Sequence, residues 1–130
     1  MSAAIVSGHL TLDSSVLVEL LDGSDIGSRL TRSLLSEEIT AHVSFVNMAE
    51  AEYILCRKIG HDAARNAAEG LLNSGYVAVE EDPAIHALAS RLKCERSISL
   101  ADCYTFAVAM VTVSRPVFLS KEEELLKEMK

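Results

Sequence analysis

The feature that most restricts the fold is a spacing. Short runs of strand-type residues recur along the chain, at His9 to Leu12, Ile39 to Val43, Tyr76 to Val79 and Val117 to Leu119. The stretches between them are too long for hairpins and carry helical periodicity. Helices are expected over Ser15 to Leu21, Arg29 to Ser36, Val46 to Lys58, Ala63 to Asn73, Ala84 to Lys93 and Ser99 to about Ser114. Punctuation supports those limits. Asp22, Gly23, Ser24 and Gly27 mark a loop, Gly60 and Gly75 follow helix ends, Asp62 caps a helix, and Asp82 with Pro83 forms an N-cap and first-turn pair. Ser120 is placed to cap a last charged helix. Strands alternating with helices in this way imply a three-layer α/β/α fold around a central parallel sheet of four or five short strands. The length of 130 residues fits a single domain spanning the whole chain.

Such a sheet gathers ligands at the carboxyl ends of its strands. Several acids fall at that edge. Asp13 directly follows the first strand, Asp102 lies in the first turn of the long apolar helix, and Glu122 lies just past the last strand. Glu50 lies early in the helix after the second strand. Each has a plain structural explanation. Asp13 can N-cap a helix, and Ser99 with Asp102 makes a capping box. The run from Glu122 to Glu124 can be a solvated face. Glu50 sits one turn from Val46, Tyr53 and Ile54, where a carboxylate is costly unless paired or bound to metal. Glu52 has a similar setting beside Met48, Leu55 and Cys56, so periodicity does not choose between them.

Other chemistries find little support. His9, His42, His61 and His86 form no HExxH pattern and have no evident nucleophile partner, and no phosphate-binding glycine motif occurs. A signalling receiver domain would need an acid pair ahead of the strand-end aspartate, and that pair is missing. Cys56, Cys94 and Cys103 form no CxxC pair, which suits a reducing, cytoplasmic setting. The apolar run from Leu100 to Val113, about 14 residues, is shorter than a membrane span, and the amino-terminal stretch lacks the basic start of a signal peptide. The net charge of −7 is the wrong sign for gripping nucleic acid by bulk charge. Arg57, Lys58, Arg65, Arg91, Lys93 and Arg96 are scattered candidates for phosphate contact, with no assigned role.

In order and spacing, these segments resemble the PIN-domain family, the small metal-dependent nuclease fold of VapC-type toxins. The residues that carry the likeness are Leu10-Thr11-Leu12-Asp13-Ser14-Ser15, Ser44-Phe45-Val46-Asn47-Met48-Ala49-Glu50, Ile98-Ser99-Leu100-Ala101-Asp102-Cys103-Tyr104 and Val117-Phe118-Leu119-Ser120-Lys121-Glu122. The likeness runs from about His9 to Leu126. It selects Glu50 over Glu52, because the family's glutamate follows a small polar residue by three positions. It departs at Ser15, where many members carry Asn, and at Glu122, where the family usually has Asp. Glu123 is the alternative there.

The resemblance implies that Asp13, Glu50, Asp102 and Glu122 are metal ligands and catalytic residues, with Ser14 and Ser120 orienting a carboxylate or a water. Mg²⁺ or Mn²⁺ suits such oxygen donors. Crowded carboxylates without metal repel, so at least one should titrate above the ordinary range. The implied activity is endonucleolytic hydrolysis of RNA, in a toxin that forms a homodimer and is held by a VapB-type antitoxin. Val16, Leu17, Leu20 and Leu21 could offer an apolar groove to that partner, although at least half of them should face the core. Two alternatives stand beside this reading: a binding module for RNA or protein that does not cut, and an RNA-processing nuclease outside any toxin system.

Overall fold

The computed structural model describes residues 8–119. In chain order the elements are β1 (Gly8–Leu12), α1 (Ser14–Asp22), α2 (Asp25–Leu35), β2 (Ile39–Ser44), α3 (Phe45–Ile59), α4 (His61–Ser74), β3 (Val77–Glu80), α5 (Pro83–Glu95), α6 (Leu100–Thr112) and β4 (Arg115–Val117). Among the described residues the strands form one sheet in the order β3-β2-β1-β4, and every pairing is parallel. This is the expected α/β/α architecture.

Alternation along the strands builds the layers. Leu10 and Leu12 of β1, Ala41 and Val43 of β2, and Val77 of β3 point to one face. There they meet Val16, Leu17, Leu30, Met48, Ala51 and Ala68 from α1 to α4 in the main core. Val16 and Leu17 are fully buried in it, so they are not free for a partner groove, while Leu20 and Leu21 pack partly buried at its margin. The opposite face lies against α6. A smaller core of Ile85, Ala89, Cys103, Ala107 and Val108 joins α6 to α5.

Several boundaries differ from the sequence reading. The second helix starts at Asp25, capped by Ser24, whose Oγ accepts from the Gly27 amide at 3.1 Å. Gly27 therefore lies inside a helix and not in a loop. Its role is close approach: a Cβ there would collide with the carbonyl oxygen of Glu19 in α1. Asp62 sits in the first turn of α4, and Gly60 occupies the cap position without a side-chain bond. The third strand is shifted to Val77–Glu80, and α6 ends at Thr112. The last strand is Arg115–Val117, earlier than Val117 to Leu119. Pro116 was a poor advertisement for a strand, but an edge position tolerates it. The expected helix after Ser120 lies outside the described residues.

The tight α1–α2 contact makes a testable demand. Gly27→Ala should cost about 3 kcal/mol, the upper end for overpacking a close contact. Urea unfolding measures it, and a loss below about 0.5 kcal/mol would mean that the two helices separate easily.

Candidate metal centre

All four strands are parallel, so their carboxyl ends share one edge. Asp13 leaves β1 there and caps α1. Its Oδ2 accepts from the Ser15 amide at 3.1 Å and from the Ser15 hydroxyl at 2.7 Å. Its Oδ1 accepts from the Thr105 hydroxyl at 3.0 Å. Asp13 is only 6 % exposed. The sheet fixes its backbone as well, because its amide donates to the Val117 carbonyl at 3.0 Å. Ser15 does a second job, since its Oγ accepts from the Leu119 amide at 2.9 Å and ties the chain beyond β4 to the same carboxylate.

Beneath this carboxylate lies Asn47, which is fully buried. Its side-chain nitrogen lies 2.9 Å from Ser14 Oγ, 3.1 Å from the Ala101 carbonyl oxygen and 3.0 Å from Thr105 Oγ1. The Ala101 oxygen can only accept, so the amide nitrogen must face that way. The amide oxygen accepts from the Ser44 hydroxyl, and Ser44 in turn caps α3 through the Asn47 amide. Thr105 Oγ1 has one proton. It faces two acceptors, Asp13 Oδ1 at 3.0 Å and the Ala101 carbonyl oxygen at 3.1 Å, and the carboxylate is the stronger one. One amide thus locks the β2–α3 junction, α1 and α6 together and aims a threonine at the carboxylate. Among the described residues no buried side-chain polar atom lacks a partner.

Asp102 is half-buried in the first turn of α6, where its amide donates to Ser99 Oγ at 3.1 Å. Its carboxyl is held above the ordinary value of 3.8. Partial loss of water is the largest cause. The negative charge of Asp13 and a hydrogen bond with the Asp13 carboxyl follow, Ser99 opposes them, and the charge of Glu50 adds a smaller push. The charges of Asp13 and Glu50 thus both reach Asp102, although the three come from distant segments. Glu52 points elsewhere and pairs with Arg65 of α4 at 3.1 Å. Glu122, its alternative Glu123 and Ser120 lie outside the described residues. Of the two hydroxyls near the aspartate, Ser14 binds Asn47 and the neighbouring Ser15 makes the carboxylate contacts.

Hard oxygen donors with unrelieved mutual repulsion suit a divalent cation. Among the described residues, no three His, Cys, Asp or Glu side chains are arranged to enclose an ion. Sequence reading missed Asn47 and Thr105 as supporting groups. The clue was that Asn47 precedes Glu50 by three positions, on a helix face that the apolar pattern turns inward.

The sequence matches the PIN domain family over residues 10–125. The chain belongs to that family. Two solved structures share its fold. One is Mycobacterium tuberculosis VapC20, described as a Sarcin-Ricin loop cleaving toxin, with 25 % identity, a TM-score of 0.64, and coverage of 81 % of this chain and 84 % of that one. The other is VapBC2 from Rickettsia felis bound to a DNA fragment from their promoter, with 14 % identity, a TM-score of 0.61, and coverage of 89 % and 92 %. No curated protein matches the chain.

The raised Asp102 carboxyl fixes a pH dependence. Unfolding lets Asp102 lose its proton near 3.8, whereas the folded chain holds the proton to higher pH. Folding stability therefore falls as pH rises from about 3.8 through the folded value, and the penalty persists at neutral pH. In EDTA at neutral pH, Asp102→Asn should melt higher than the unsubstituted protein, and the gap should close below pH 4. Mn²⁺ should narrow the gap by stabilising the unsubstituted protein alone. Equal melting temperatures across that range would remove the repulsion argument. The support network makes a second demand. Thr105→Val should keep the helical content and weaken Mn²⁺ binding about 10- to 100-fold, the scale for losing a group that orients a metal ligand. Calorimetric titration reads this directly.

Proposed function

We propose that this chain is a Mg²⁺- or Mn²⁺-dependent endoribonuclease that hydrolyses RNA phosphodiester bonds, and that it is the toxin of a VapBC-type pair in the cytoplasm. One observation carries the proposal: at the carboxyl edge of a parallel sheet, the charges of Asp13 and Glu50 both press on Asp102 and add to the rise that burial causes in its carboxyl. Membership of the PIN domain family supports it, as does the likeness to a toxin that cleaves the Sarcin-Ricin loop. The VapBC2 neighbour supports a VapB-type antitoxin as the partner. A homodimer belongs to the same reading. No helix among the described residues is long and apolar enough to cross a membrane.

The residues divide the work. Asp13, Glu50 and Asp102 would hold the metal, with Glu122 as the fourth acid. A bound dication supplies charge neutralisation at the phosphate and a polarised water as nucleophile. Thr105 and Ser15 fix both oxygens of Asp13, so that carboxylate need not reorganise when the ion or the substrate arrives. Asn47 holds Thr105 in turn. Asp102 holds its proton above the ordinary carboxylate range, so metal uptake there should release a proton.

The deciding assay is cleavage of single-stranded RNA with Mg²⁺ or Mn²⁺. Asp13→Asn and Asp102→Asn should each lower the rate at least about 100-fold, the scale of losing one charge-stabilising group. Asn preserves the cap at position 13, so folding should survive. Equal rates in all three proteins would place any cleavage elsewhere and leave a binding module as the better reading.

A further inference from the structure

On the α6 side of the sheet a cavity of about 740 Å³ opens beside the start of β1. It lies apart from the carboxylates. His9 and Asp13 are four positions apart on one strand, or about 13 Å at the usual rise. Among the described residues, its lining includes His9, Phe106, Met110, Val113, Arg115 and Pro116, and no Asp or Glu. That is unusual ground in a chain of net charge −7. The Arg115 guanidinium, in that lining, enters none of the ion pairs among the described residues.

His9 is built into the sheet as the end of a relay. Glu80 Oε2 lies 2.8 Å from His42 Nδ1, and His42 Nε2 lies 3.0 Å from His9 Nδ1. The three residues lie on a diagonal across β1, β2 and β3, each two positions on from its neighbour's register partner, and the two rings are nearly parallel, 5.3 Å apart. An ionised Glu80 can only accept, so the proton sits on His42 Nδ1. Neutral His42 then offers Nε2 to the His9 Nδ1–H. This leaves the outer nitrogen of His9 for a ligand, as an acceptor when neutral and as a cationic donor when protonated, with Glu80 backing the charge. The walls are apolar and open. Phe106 and Met110 lie one turn apart on α6, Met110 is 60 % exposed, and the Phe106 ring tilts against Phe118 at 5.3 Å.

An arginine and a relayed histidine beside an exposed aromatic and a methionine match one chemistry: a flat base carrying a phosphate. The volume is in the range of small-ligand sites. We propose that this cavity seats one unpaired nucleotide of the RNA substrate, with the base on Phe106 and Met110 and the phosphate on Arg115 and His9. The inference rests on the RNA reading above and adds a contact remote from the metal centre. It anchors the strand without lending charge to the cleavage step.

The test is fluorescence anisotropy of a labelled single-stranded RNA in EDTA, where no cleavage occurs. Arg115→Gln should weaken binding about tenfold at low salt and reduce the slope of log affinity against log salt by about one unit. Phe106→Ala should weaken it about tenfold with the slope unchanged, and Phe106→Tyr, which keeps a ring, should restore it. Adenosine monophosphate should compete, and inorganic phosphate should compete less well. Unchanged affinity in both Arg115→Gln and Phe106→Ala overturns the proposal. So does a Met110→Glu protein that loses self-association in sedimentation while binding RNA normally, because the cavity then belongs to a second copy. If RNA binds through these residues but nothing is cut with Mg²⁺, the nuclease reading fails and the cavity assignment stands. If cleavage proceeds with the same KM in every variant, the reverse holds.

Discussion

The structure depends on one buried amide. Asn47 joins the β2–α3 junction, the start of α1 and the first turns of α6, and every polar atom it meets is itself buried. A buried amide with an unmet bond costs more than an apolar side chain of the same shape. The three elements are therefore pinned to the one arrangement that satisfies it. Asp13 inherits its orientation from that arrangement through Thr105. The local order of the site follows from the way the core is closed, and it does not wait for a ligand.

Against this order stands an electrostatic cost. The same fold half-buries Asp102 and puts it within reach of the Asp13 and Glu50 charges, and Asp102 responds by holding its proton. The fold tolerates this strain at one edge because the remaining acids are spread out. Glu52 is matched by Arg65, Asp22 by Lys58 and Glu95 by Arg91. The exposed pairs among these contribute little stability, yet they occupy cations that would otherwise be free for phosphate. Arg115, at the far end of the edge strand, enters none of these pairs and stands beside a cavity without acids.

Much of this was legible in the sequence, for identifiable reasons. Strand spacing announced a parallel sheet, and a parallel sheet says where its acids matter, so Asp13 and Asp102 could be named before any coordinates. Glu50 and Glu52 could not be told apart by periodicity, because both sit beside apolar neighbours. The structure separates them by what stands opposite: Arg65 for one, the aspartates for the other. The hydrogen-bond network was out of reach for a different reason. Thr105 is 58 positions from Asn47 and 92 from Asp13, and no local pattern encodes a contact over that distance. Ser14 and Ser15 look alike on paper, and only the helix start decides which hydroxyl turns inward and which meets the carboxylate. Gly27 read as a loop residue because nothing in the sequence showed that α1 would press on it.

Among the described residues, the strand at the β4 edge of the sheet is short and holds a proline at its centre. Val117 turns its carbonyl toward β1, so the neighbouring Pro116 turns its backbone outward. Proline has no amide proton to offer there. A passing strand that tried to continue the sheet on this flank would meet a gap in the donor row. That gap disfavours edge-to-edge stacking along the described part of this flank.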